Sequence, residues 1–565
     1  MSDNTPAPSA PEGEQARALA DELLQVQFDI DPVWPAMLGI DTSRAGLGAI
    51  TEEEEQRGAD AVRDVLRRAR ELEPTEPEDR LTRDVVISLA QAHLDRVAAR
   101  EVEYTVTDIF VAPAVGMLTT LPMLQISGPE HAESYLGRLR DVPRYLAGAL
   151  ERHRAGVAAG RVPVAHLVDA AVRHLDRHLS DPGNDPLARP APPDGVDVGD
   201  FHAERERLLR DVVRPAIRQY RDGLVEHIAP HARPEDKPGL AWLPDGERIY
   251  RLLAGVHTTV DRDPAELHQV GLDLIDRLAG EYAEVGSRVF GTTDLGEIFH
   301  RLRTDPALRW SSAEELIEHA NAAIRRAEQA APQWFGRIPT QPWVVEEVPA
   351  AAAPGAPAAY YMAPSADGSR PGTYFANTYQ VTERFKHTAE VTAFHEAIPG
   401  HHFQISLALS LDDIPLLRRV NGFTAYVEGW GLYTERLAQE MGLYSGDVAL
   451  LGMLSMDSLR AGRLVVDTGL HAKGWSREQA IDYLRTNSPM PLVEIEAEVD
   501  RYIAYPGQAL SYMVGRLEIL RMRQAAERRL GDRFDIRAFH DVVLGSGAVP
   551  LGVLDTLVGE WVERQ

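Results

Sequence analysis

Apolar residues recur at intervals of three and four along most of this 565-residue chain, and that period confines it to a mainly helical fold. Segments near 14–29, 52–71, 79–100, 129–156, 202–228, 264–288 and 313–330 carry the period in the first part. Segments near 388–410, 421–441, 446–472, 491–504, 507–530 and 548–563 carry it in the second. Many begin after Asp, Ser, Thr or Pro, the residue types that cap or start helices. One region departs from it: 342–348, 358–363 and 373–378 read as short strands, the last two separated by Asp367-Gly368. The expected architecture is one large helical unit over 14–565, with lobes of about 14–330 and 331–565 around a central cleft. A small β-sheet should precede the segment that starts near 388.

The interruptions are legible too. Residues 1–13 are polar and Pro-rich, without a basic start or an apolar core, and read as a disordered tail rather than a signal peptide. Residues 180–200, with five prolines and three glycines, read as an exposed loop, and the Pro/Ala/Gly-rich stretch 349–357 as a surface excursion.

Composition excludes several chemistries. There is no cysteine, so disulfides, thiolate nucleophiles and cysteine-ligated zinc are ruled out and any metal must sit on His and carboxylate. With 59 basic against 86 acidic residues the formal charge is −27, which would repel nucleic-acid phosphates. No run of 18 or more apolar residues occurs, so no membrane span is expected and a cytoplasmic location is the default. Nothing in the sequence marks an oligomeric interface.

Chemistry concentrates at 394–404, Phe-His-Glu-Ala-Ile-Pro-Gly-His-His-Phe-Gln. A metal site that activates water needs two or three imidazoles or carboxylates, an open coordination position and a carboxylate beside the water. His395, Glu396 and His401 or His402 supply most of that set. The spacing departs from H-E-x-x-H, whose histidines share one helical face. Position i+4 is Pro399. On a regular helix His401 lies about 240° around from His395, and His402 returns to the same face about 10 Å further along. Pro399 cannot donate to the carbonyl of His395 and Gly400 tolerates unusual dihedrals, so a break in this turn is expected. Such a break would swing His401 beside His395, which favours that pair as ligands and holds His402 in reserve.

A third ligand is expected downstream. Glu428 lies on the segment 421–440, beyond a turn at Asp412, Asp413 and Pro415 that would reverse the chain. Glu435, seven residues on, shares its helical face as an outer partner or substitute ligand. Trp430 and Tyr433 read as core. On 463–471, Asp467 and His471 are spaced i, i+4, with Arg463 four residues before Asp467, so they either orient a ligand imidazole or form an intrahelical ion pair. Around the break at Pro506-Gly507, Arg501, Tyr505 and Gln508 are candidates for binding substrate, Arg501 by a bidentate grip on a carboxylate. Tyr512 and His471 are candidates for stabilising an oxyanion.

These stretches resemble a known family. Tyr374 to Asn377, His395 to His402, Glu428 to Tyr433, Arg463 to His471 and Arg501 to Tyr512 are similar to motifs of the bacterial domain-of-unknown-function family numbered 885, grouped with gluzincin-like zinc peptidases. The resemblance runs from about residue 20 to 560. It implies a mostly helical, zinc-dependent peptidase-like fold, with His395, His401 and Glu428 as Zn2+ ligands and Glu396 as general base. The expected activity is cleavage of short peptides by metal-activated water. The alternatives are a metal-dependent hydrolase of another small amide, and a catalytically idle peptide-binding protein of the same fold.

Overall fold

The computed structural model describes residues 11–40, 43–193, 197–349, 353, 356–364 and 370–565. The expected turn at Asp367-Gly368, and parts of the expected tail, loop and excursion (1–10, 194–196, 350–352 and 354–355), lie outside the described residues. Helix starts at Glu12, inside the stretch expected to be disordered tail, and two short 3-10 turns, Pro182–Asn184 and Pro186–Ala188, punctuate the 180–200 loop.

The chain is mainly α-helical with one small sheet. Local chemistry sets many of the helix boundaries. Helix Glu52–Glu71 begins at a capping box in which Thr51 and Glu54 satisfy each other's backbone N–H groups. Helix Arg477–Asn487 begins at the same device, built from Ser476 and Gln479. Where 202–228 reads as one helix, π-helical turns at Leu209–Val213 and Leu224–Ile228 interrupt it. Pro215, which has no N–H to give the preceding turn, immediately follows the first of them. Helices at Ala165–Ser180, Gly246–Thr258, Leu295–Thr304 and Ile536–Leu544 were not marked by the apolar period.

Helix Asp447–His471 is the axis of the second half. From Leu451 to His471 every residue but Met456 is buried, the pattern of a helix enclosed on all sides. It packs along helix Pro264–Phe290. The charge within it is compensated: buried Asp457 is held ionised, against the effect of burial, by Arg516 and Arg436. Helices Thr424–Glu440 and Ser511–Leu530 form a second close pair. They touch where Gly429 meets Gly515, and a Cβ on Gly515 would lie 1.8 Å from the carbonyl oxygen of Ala425.

The three strands are β1 (Trp343–Glu347), β2 (Ala359–Met362) and β3 (Gly372–Ala376). β3 lies in the middle, parallel to β1 and antiparallel to β2, with Tyr374 opposite Val345 and Tyr361. From β3 the chain passes through a 3-10 turn at Val381–Glu383 into helix Ala389–Glu396. One hydrophobic core joins residues from helix Glu12–Ile30 to helix Leu551–Arg564, including one face of the sheet, with Trp343, Val345, Ala359, Tyr374 and Ala376, and the helices just named. A second core gathers residues between Val33 and Ile228.

Candidate metal centre

The helical segment 388–410, in which a break is expected at Pro399-Gly400, is two helices, Ala389–Glu396 and His401–Leu409, joined by a turn at 397–400. At Ala397 the backbone leaves helical values (φ −111°, ψ −102°), and at Gly400 it does so again (φ −80°, ψ −126°). A Cβ at Gly400 would lie 1.8 Å from the carbonyl oxygen of His395, so only glycine fits there. The turn brings the rings of His395 and His401 to a centroid distance of 4.8 Å, nearly perpendicular.

Glu428, from the first turns of helix Thr424–Glu440, enters between them. Its Oε2 is 3.5 Å from Nε2 of His395 and 3.5 Å from Nε2 of His401. The donor atoms of the three residues all lie within 4.8 Å of one another. Tetrahedral bonds of about 2.0–2.1 Å set neighbouring donors roughly 3.4 Å apart. The two measured edges match that spacing.

The surroundings support the same atoms as donors. Nδ1–H of His395 donates to Oε1 of buried Glu435 at 2.8 Å, which leaves Nε2 as the ring nitrogen that faces Glu428. Nδ1 of His401 is buried without a hydrogen-bond partner. Carboxylates gather here in excess. Burial alone would lower the His395 imidazolium, yet hydrogen bonds to Glu428 and Glu435, and the charges of Glu435 and Glu396, raise it to about 9. Burial alone would raise Glu428, but the two histidines hold its carboxyl far below the usual range. A cluster that retains a proton so strongly is one a divalent cation fits, with two imidazole nitrogens and one carboxylate as donors. Glu396, on the last turn of its helix beside His395, is half-buried and makes no hydrogen bond to another described residue.

His402 takes a different place. The Tyr361 hydroxyl of β2 donates to its Nδ1 at 2.9 Å, Gly372 of β3 packs against the ring, and burial pushes its pKa down to about 4. It ties the sheet to the second helix rather than joining the trio.

Tyr512 is brought to the site. Its ring stacks on His395 at 6.5 Å, and burial and then the charge of Glu428 raise its phenol. The Arg463 guanidinium lies over the other face at 4.4 Å. Arg501 and Gln508 stand behind it: Arg501 donates to Gln508 Oε1 at 2.6 Å and to Glu498 Oε2 at 3.0 Å. Arg463 shares that carboxylate at 2.8 Å. Arg463 therefore pairs with Glu498 and not, as its i, i+4 spacing allowed, with Asp467.

Three candidates stand elsewhere. His471 spends both ring nitrogens inside the fold: the Leu240 N–H donates to Nδ1 at 3.1 Å, and Nε2–H donates to the Tyr502 carbonyl at 3.0 Å. A neutral, fully engaged imidazole has no donor left for an oxyanion. Asp467 accepts from the Tyr250 hydroxyl at 2.6 Å and the Gly507 N–H at 3.2 Å, and orients no ligand imidazole. Tyr505 packs edge-on against His257 and Phe110, on the far side of the Gly507 turn.

Sequence reasoning took Trp430 for core and missed its link to the site. Its indole N–H donates to the Pro399 carbonyl at 2.9 Å, pinning the turn between the two histidines. Gly431 beside it lets the His395 ring lie directly on the helix, where a Cβ would come within 2.8 Å of Nε2. Glycine on both sides of a tryptophan, Glu-Gly-Trp-Gly, was the available signal. A larger open concavity of about 700 Å³ exists among helices Glu12–Ile30, Glu52–Glu71 and Pro129–Ala158, but it contains no member of this cluster.

The fold and site together define a mainly helical protein with a His-His-Glu cluster suited to a cation, fed by a small mixed sheet. The chain belongs to the family of bacterial proteins of unknown function DUF885, whose model matches residues 32–558. Its structure is similar to that of a protein from Colwellia psychrerythraea described as a "putative lipoprotein", with a TM-score of 0.91 and 28% identity over 99% of this chain and 100% of that one. A second, from Shewanella oneidensis and described in the same words, shares the fold with a TM-score of 0.75 and 19% identity over 97% of this chain and 100% of that one. No curated protein matches the chain in sequence.

Proposed function

We propose that this protein is a metal-dependent hydrolase of short peptides, with zinc as the cation and with the ligand logic of gluzincin-type peptidases. The observation that carries the reading is the meeting of His395, His401 and Glu428 from three helices, with donor atoms within 4.8 Å, next to a carboxylate, Glu396, whose side chain makes no hydrogen bond among the described residues. A zinc ion there would lower the pKa of a water towards 7 and polarise a substrate carbonyl. Glu396 takes the water proton and passes it to the leaving amine. Glu435 holds the His395 imidazole in the tautomer that presents Nε2. Tyr512, stacked on that imidazole, supplies the hydroxyl donor to the developing oxyanion. Arg463 and Arg501 share the single carboxylate of Glu498, and the positive charge left over favours substrates with a free carboxylate.

The test is metal content by elemental analysis, on protein purified without chelator, followed by a screen of short peptides. About one zinc per chain is expected, lost in His395→Ala, His401→Ala and Glu428→Ala and kept in His402→Ala. Glu396→Gln should keep the metal and lose on the order of 10²–10⁴ in turnover. Absence of stoichiometric metal even after zinc is added back would overturn the reading.

A further inference from the structure

A cavity of about 180 Å³ opens beside the metal helix. One wall is the helix face that carries Thr388 and Thr392, and Thr392 lies one turn before Glu396. Tyr374 of β3 forms another part of the wall, and its phenol is raised first by burial and then by the charge of Glu396. Ser455, Met456 and Leu459 close it from helix Asp447–His471, just before Arg460, whose guanidinium lies 5.8 Å from the Tyr512 ring. The cavity therefore touches the helix that ends at the general base and the helix whose Arg460 and Arg463 lie over the Tyr512 ring.

Its lining is aromatic and apolar over Trp310, Leu316, Phe385, Met456, Leu459 and Met490, with Glu383, Arg384 and Glu494 as its charged part. An apolar cavity of about 150 Å³ holds a benzene molecule, so this one matches a single aromatic side chain and is too small for a folded segment. One polar group in the wall lacks a partner. His387 is 4% exposed, burial keeps its ring neutral, and its Nδ1 makes no hydrogen bond. Outside it, Leu492 and Val493 are 50% and 72% exposed next to the lining residues Pro491 and Glu494, and extend the apolar surface for a neighbouring residue.

We infer that this cavity receives an aromatic side chain of the substrate adjacent to the scissile bond, so that Phe or Tyr beside that bond sets the specificity. The inference rests on the hydrolase reading for the bond cut, but not for the binding. A phenylalanine or tyrosine ring fills the volume. Aspartate or glutamate would bring a further carboxylate to a wall that already holds Glu383 and Glu494 against the single cation Arg384.

The test uses full-length, metal-loaded protein and two peptide series, Gly-Xaa-Gly-Gly and Gly-Gly-Xaa-Gly, with Xaa as Phe, Tyr, Leu, Ala or Asp. Values of kcat/KM are compared between wild type, Leu459→Trp, which fills the cavity from the buried helix, and Ala359→Phe, which fills it from β2. In parallel, binding of the same peptides to Glu396→Gln is measured by calorimetry. In one of the two series, Phe and Tyr should exceed Ala by at least about tenfold in wild type. That ratio should fall towards one in whichever filled variant folds. Equal cleavage for every Xaa, or a preference untouched by both filled variants, overturns the pocket and leaves the hydrolase reading standing. No cleavage, with selective binding of Phe and Tyr peptides lost in a filled variant, overturns the hydrolase reading and supports the pocket. Neither cleavage nor selective binding overturns both.

Discussion

At the scale of single residues, the candidate site is governed by how carboxylates are shared among imidazoles. Glu435 is fully buried; its Oε1 accepts from His395 and its Oε2 has no hydrogen-bond partner, with Arg460 Nη2 3.7 Å from Oε1. Replacing it with Ala removes the group that fixes the His395 tautomer. The expected result is a 10- to 100-fold loss of zinc affinity, read by competition with a chromogenic chelator; unchanged affinity would detach Glu435 from the site. Asp467 offers a different residue-scale test, because it serves the fold and not the cluster. Burial pushes its carboxyl up to about 7, so the folded state holds a proton that the unfolded state releases near 4. Stability should therefore fall as pH rises from about 4 to about 7, by up to roughly 4 kcal/mol at about 1.4 kcal/mol per unit. Asp467→Asn should flatten that part of the profile in chemical denaturation at a series of pH values, and an unaltered slope would mean that another group titrates there.

At the scale of elements, the site depends on one interrupted helix and the helix that clamps it. Trp430→Phe keeps the ring packing but leaves the Pro399 carbonyl without its donor. A cost of about 1–3 kcal/mol is expected, with weakened zinc binding because His401 starts directly after that turn. Thermal unfolding with and without zinc separates the two effects: a lower melting temperature with an unchanged zinc-dependent increment would show that Trp430 serves packing only. The need for the break was legible in the sequence, since Pro399 and Gly400 cannot continue the helix from His395, and the three strands were legible to within about two residues from their change of period. Which histidine the break would turn inward was not legible from spacing alone, because it depends on the Tyr361 hydroxyl and on Gly372, both from strands distant in sequence. His471 and Asp467 misled for a related reason. Their i, i+4 spacing is the same whether a helix faces a site or a core, and only the packing of Leu240, Tyr250 and Gly507 around them reveals the core. Short helices such as Leu295–Thr304 escaped because ten residues hold too few repeats to establish a period.

At the scale of the whole molecule, the helices at the start of the chain belong to the core that supports the cluster. Leu19, Leu23, Leu24 and Phe28 of helix Glu12–Ile30 lie in the same hydrophobic cluster as Phe394, Phe403 and Trp430. Polar contacts converge on the stretch between His401 and Glu428. Gln27 and Asn421 exchange side-chain hydrogen bonds, the Arg17 guanidinium donates to the Asp413 carbonyl, and Arg418 reaches Glu78 and Thr82. That stretch sets the distance at which helix Thr424–Glu440 returns, and so where Glu428 meets the histidines. Deleting the chain through Asp31 removes four large buried side chains, each contributing about 1.5–3 kcal/mol, against a total stability that is typically about 5–15 kcal/mol. The truncated chain should therefore lose its cooperative thermal transition and its stoichiometric zinc together, although every residue of the cluster is still present. A truncated protein that bound one zinc with the affinity of the full chain would show instead that residues 32–565 organise the centre without the first helix. The link from Gln27 to Asn421 would then be a surface contact without consequence for Glu428.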